Sequence, residues 1–168
     1  QGVKQPRFLS LGGAYHGDTV GAVSLGHIDL FHKTYGPLLF ETDQVMAPYC
    51  YRCPFNRAAP ERADARSYRK CHWECVGKVE EAFAKGRKAS SPVTAFAAEP
   101  VMQGAAGMIP QPEGWLGKVA EITRLNEAHL ILDEVMTGFG RVSLPGGGRQ
   151  NWFAFQKEGV APDFVAVA

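Results

Sequence analysis

Leu130 to Arg141 reads LILDEVMTGFGR. The apolar run Leu130-Ile131-Leu132 ends in two carboxylates, Asp133 and Glu134, and then in a turn of small residues. Such a run predicts a buried parallel strand. A carboxylate at its C-terminal edge sits where open α/β sheets bind ligands. An acid withdrawn from water there needs a cationic or protonated partner. A metal, a nucleotide-bound magnesium and a protonated ring nitrogen all qualify.

Working outward, strand-like and helix-like stretches alternate. Arg7–Leu11 predicts a strand followed by a Gly12-Gly13 turn, and residues 18–25 predict a short helix with small residues. Residues 74–85 place Val76, Val79, Ala82 and Phe83 at helical spacing, and Val93–Ala98 predicts a strand closed by Glu99-Pro100. Residues 114–128 form an amphipathic pattern with Trp115, Val119, Ile122 and Leu125 on one stripe. A short helix over 152–158 and a strand over 164–168 complete the order. The fold class is therefore α/β, a mainly parallel sheet with helices on both faces. Residues 26–75 interrupt this rhythm as an irregular but ordered excursion that carries all four cysteines.

The chain has 168 residues, 45% of them hydrophobic, and a formal net charge of +1. That balance argues against a dedicated nucleic-acid or membrane surface. No apolar run is long enough to span a bilayer and no signal-peptide layout opens the chain, so a cytoplasmic protein is expected. The chain opens on Gln1 and stops within the apolar run FVAVA, which leads to the expectation of one internal fragment, residues 1–168, of a larger domain.

Three expected strands end in polar residues on one edge: Ala14-Tyr15-His16-Gly17-Asp18-Thr19, Glu99-Pro100 and Asp133-Glu134. Each alone is as well explained by packing or by a loop corner, but their convergence is what a pocket at the carboxyl ends requires. A magnesium-binding acid of an ATPase core needs a GxxxxGK[ST] loop upstream, and the chain has none. The PGGG run at Pro145 to Gly148 lacks the Lys-Ser/Thr of a phosphate cradle.

The cysteines are spaced C-x2-C (Cys50, Cys53), then seventeen residues, then C-x3-C (Cys71, Cys75). This approaches a structural zinc site, which would pin the excursion as a metal-stabilised interaction module. Four reduced thiols packed as small apolar groups is the alternative, and both stay open on the sequence.

Four stretches occur together in order: AYHGDTVGAVSLG (14–26), EPVMQGAAGMIPQPEGWL (99–116), LILDEVMTGFGR (130–141) and EGVAPDFVAVA (158–168). Together they resemble the class III aminotransferases, pyridoxal-phosphate enzymes of fold type I. YHGDT followed by HIDLFHKTYGPLLFE (27–41) is similar to the branch that aminates 8-amino-7-oxononanoate to 7,8-diaminononanoate in biotin synthesis. The resemblance implies that the chain is part of the large, cofactor-binding domain.

It also implies residue roles. Tyr15 is the aromatic stacked on the cofactor ring, with His16 and Gly17 beside it. Asp133 meets the pyridine nitrogen, Val135 packs on the opposite ring face, and Met136 lies beside the ring hydroxyl. Asp18 holds the Tyr15 loop, Glu99 lies toward the substrate, and Arg141 ends the GFGR motif in a structural or a functional role. The Schiff-base lysine of the family is expected at the first residue beyond Ala168, and its phosphate-binding loop before Gln1, so the fragment alone is not expected to transaminate. The resemblance further implies ping-pong transfer from S-adenosylmethionine or lysine, and a homodimer with active sites at the subunit interface. Another ω-amino acid or diamine transaminase is the alternative within the family. The segment between Val142 and Trp152 departs from the family pattern as a longer loop.

Overall fold

A computed structural model describes residues 6–59, 65–142 and 152–168. Its centre is a five-stranded sheet built from β1 (Arg7–Leu11), β2 (Asp43–Val45), β3 (Val93–Ala98), β6 (His129–Asp133) and β7 (Phe164–Ala166). They lie in the order β2-β1-β3-β6-β7, and every pairing is parallel. Two further strands, β4 (Met102–Gln103) and β5 (Ile109–Pro110), form a small antiparallel ribbon after β3.

Period-2 alternation divides the sheet's side chains. Leu9, Leu11, Phe96, Ala98, Leu130 and Leu132 join one core cluster with Val79 and Phe83 of α3 (Glu74–Lys88) and Trp115 and Val119 of α4 (Trp115–Leu125). β3, the central strand, is buried along its whole length, which its small Ala-rich sequence permits. On the other face Ser10 donates to the Leu25 carbonyl at the end of α1 (Val20–Leu25), and Phe8 packs on Phe40. α1 begins two residues later than the sequence pattern suggests, because Thr19 caps it by accepting the Ala22 N–H.

Three details differ from the sequence reading. Leu125, the last residue of α4, is 76% exposed rather than part of the buried stripe. The irregular excursion also supplies an edge strand, β2, joined to β1 by an Arg7–Asp43 ion pair; three residues are too few to show a period. It contains the one-turn helix α2 (Asp29–His32) as well. The last helix, α5, is only Ala154–Lys157. The glycines at Pro145 to Gly148, and residues 143–151 of the long loop, lie outside the described residues. No helix among the described residues is long and apolar enough to cross a membrane.

Candidate active site

Parallel pairing sends the carboxyl ends of β1, β3 and β6 to one edge of the sheet. After β1 the chain turns through Gly12 to Gly17. Gly17 has φ +110°, a backbone conformation that L side chains rarely adopt. His16 Nδ1 reaches Asp133 Oδ2 at 2.8 Å, and Asp133 Oδ1 accepts the Val135 N–H at 3.1 Å. Both side chains are nearly buried.

The two acids that close β6 have different tasks. Glu134 is fully buried; it accepts the Thr137 hydroxyl and the Phe155 N–H at 2.9 Å, and its backbone N–H donates to Ala166. It fastens the DEVMTG turn to α5 and β7, while Asp133 faces the β1 loop. The following Val135 is 51% exposed, an aliphatic side chain left open beside the carboxylate. Met136 packs over Gly104, where a Cβ would lie 2.6 Å from the Met136 Cε. Arg141 is exposed, and its N–H donates to the Gly138 carbonyl.

Glu99, at the end of β3, bridges two loops. Its carboxylate accepts the Tyr15 N–H at 3.4 Å and the Gly104 N–H at 2.8 Å. Burial pushes its carboxyl above the ordinary value, against the lowering effect of those N–H groups and of His16; the Asp133 charge adds to the rise. The Tyr15 hydroxyl donates to Asp18 at 3.0 Å, which raises the Tyr15 pKa, and Asp18 itself is exposed. Sequence reasoning missed the supports beneath these groups. Gln111 ties the Glu99 carbonyl to the Val101 N–H, Gln103 holds the Gly12 carbonyl, and His32 stacks on Tyr15. Lone glutamines and a lone histidine carry no periodic signal.

The structure thus brings Tyr15, His16, Glu99 and Asp133 together, with Val135 and Met136 beside them. The Asp133 carboxylate uses two acceptor directions of the roughly four it has, so it retains capacity for a protonated ring nitrogen. Half-buried Tyr15 and open Val135 offer the apolar faces that a flat aromatic ring needs. These residues fit pyridoxal phosphate.

The cysteines come out otherwise. Among the described residues no group of three or more His, Cys, Asp or Glu side chains can hold a metal ion, and all four thiols are free. The zinc expectation for Cys50, Cys53, Cys71 and Cys75 is therefore not met by this arrangement. What joins the two halves of the segment is Asn56, whose side chain binds the Cys50 and Tyr68 carbonyls and the Lys70 N–H. Burial, reinforced by the neighbouring thiols, pushes Cys50 up to about 11 and Cys75 to about 12.

The Aminotransferase class-III family profile matches residues 1–168. The adenosylmethionine-8-amino-7-oxononanoate aminotransferase of Geobacter sulfurreducens is 42% identical over 98% of this chain and 32% of its own length. The crystal structure of the enzyme of that name from Methanocaldococcus jannaschii has a TM-score of 0.70 at 30% identity, covering 97% of this chain and 31% of the other. An omega transaminase from Pseudomonas jessenii, solved in complex with PMP, has a TM-score of 0.74 at 26% identity, over 96% and 32% of the two chains. The chain spans about a third of the length of these relatives. It belongs to the class III aminotransferases, a pyridoxal-phosphate-dependent family.

Proposed function

We propose that the complete protein transfers an amino group to 8-amino-7-oxononanoate, giving 7,8-diaminononanoate for biotin synthesis. S-adenosylmethionine or lysine is the donor and the working form is a homodimer. The observation that carries this reading is the Asp133–His16 pair at the carboxyl edge of the sheet, in a chain 42% identical to a relative bearing that activity in its name.

When bound, pyridoxal phosphate supplies an electron sink for the substrate carbon undergoing transfer. The residues of this chain bind and orient it. Asp133 would accept a hydrogen bond from the protonated ring nitrogen and so keep that nitrogen charged, while His16 holds the Asp133 carboxylate in the direction required. Tyr15 would cover one ring face and Val135 the other, both excluding water. Met136, packed on Gly104, would lie beside the ring hydroxyl. Asp18 holds the Tyr15 hydroxyl, and the Arg141 N–H closes a turn onto the Gly138 carbonyl.

The test is direct. The complete protein, given 8-amino-7-oxononanoate and either donor, should yield 7,8-diaminononanoate by mass spectrometry. No product with either donor, together with turnover of an ω-amino acid or diamine, overturns this reading. The second reading then takes its place, an ω-amino acid or diamine transaminase, which the likeness to the Pseudomonas jessenii enzyme favours.

A further inference from the structure

His32 is the last residue of α2, inside the excursion that the sequence left without a role. It is 6% exposed. Its imidazole lies parallel to the Tyr15 ring, 8° between planes and 6.1 Å between centroids, an offset stack. Two independent features hold it there. Ile28 N–H donates to His32 Nδ1 at 3.1 Å, so Nδ1 is an acceptor and the ring plane is set by the backbone of its own turn. Gly26 leaves the space that the imidazole fills; a Cβ at that position would lie 2.1 Å from the His32 Cε1.

Tyr15 is also held at two points along its length. Glu99 holds its backbone N–H and Asp18 its hydroxyl. Contacts at the ends of a ring's long axis fix where it lies but leave rotation about that axis open. A parallel partner packed on one face restricts this rotation and sets the plane of the ring.

We infer that His32 is a positioning residue for Tyr15, a rear platform that sets the plane in which Tyr15 meets the cofactor ring. This rests on the proposed role of Tyr15. It gives residues 26–32 a task in the active site, through a side chain that touches neither cofactor nor substrate.

The test uses the complete protein with His32→Gln and His32→Phe. Glutamine can still accept the Ile28 N–H but offers no ring; phenylalanine offers the ring and no acceptor. Three readouts are taken: amide hydrogen exchange over residues 14–18 without cofactor, pyridoxal phosphate affinity, and circular dichroism of the bound cofactor band. H32Q is expected to speed exchange over 14–18, weaken cofactor binding by about three- to tenfold, the worth of an aromatic pair, and alter the dichroic band. KM for the amino acceptor should not change. H32F is expected to retain more cofactor affinity than H32Q. Equal affinities for the two variants, or the reverse order, overturn the inference, as does an effect confined to KM. If the wild-type protein binds no pyridoxal phosphate, the cofactor reading itself fails. In that event exchange over 14–18, faster in H32Q than in H32F, still decides whether His32 is a platform.

Discussion

His16 and Asp133, 117 residues apart in the chain, meet in a hydrogen bond of 2.8 Å between Nδ1 and Oδ2. This contact joins the loop after β1 to the end of β6 across the intervening β3. It orients the carboxylate that closes β6 on the side of the β1 loop, whereas Glu99 bridges the Tyr15 and Gly104 N–H groups and Glu134 is turned to Thr137 and Phe155.

Replacing Asp133 by Asn should remove the anionic partner of the ring nitrogen while keeping the shape of the side chain. A hydrogen bond to a charged group contributes about 1.5–3 kcal/mol. D133N is therefore expected to weaken pyridoxal phosphate binding by about ten- to hundredfold, measured by absorbance titration of the complete protein. Unchanged affinity would show that Asp133 does not meet the ring nitrogen.

Glu99 makes stability depend on pH in a stated direction. Its folded-state pKa is raised above 4.5, with burial the first cause. The folded state then binds more protons than the unfolded one between 4.5 and the raised value, so stability falls as pH rises through that window. E99Q cannot titrate, so the stability of wild type relative to E99Q should decline over the same interval. Thermal melts from pH 4 to 7 check this; a difference that grows with pH contradicts the direction.

Glu134 predicts a structural loss without a specific cofactor effect. Thr137→Val leaves a fully buried carboxylate short of one donor and should cost about 1–3 kcal/mol in urea unfolding. Glu134→Ala leaves the Thr137 hydroxyl and the Phe155 N–H without their partner and should cost more than T137V. A neutral Glu134→Ala would remove the fastening role.

The two ends of α4 should respond differently. Trp115, fully buried against Phe96, should cost about 3–5 kcal/mol when changed to Ala. Leu125→Ser should stay within about 0.5 kcal/mol, as exposed positions do. Chemical denaturation of both variants tests the pair, and a large loss at Leu125 would place it in the core.

Thiol labelling should divide the cysteines by burial. With pKa values of about 11 and 12, Cys50 and Cys75 react slowly at pH 8, whereas the partly exposed Cys53 and Cys71 react first. Four equally fast thiols contradict the burial pattern. Stoichiometric zinc on elemental analysis would reinstate the metal expectation.

Much of this architecture was legible before the fold was known, wherever the signal is local. The apolar runs at Val93–Ala98 and Leu130–Asp133, and the stripes Val76-Val79-Phe83 and Trp115-Val119-Ile122, mark buried strands and half-buried helices because burial imposes its own period on the chain. Tertiary structure alone decided the partnerships. Asp133 and Glu134 are adjacent and chemically alike, yet one faces His16 and the other is enclosed by Thr137 and Phe155, since successive residues at the end of a strand turn to opposite sides. The spacing of four cysteines suggested a metal, but spacing along a chain does not determine how thiols face one another. His32 stacks on Tyr15 only because Gly26 lets its ring approach the backbone, and β2 pairs with β1 through three residues that show no pattern by themselves. Periodicity is written along the chain, whereas contacts between distant residues exist only once the chain has closed on itself.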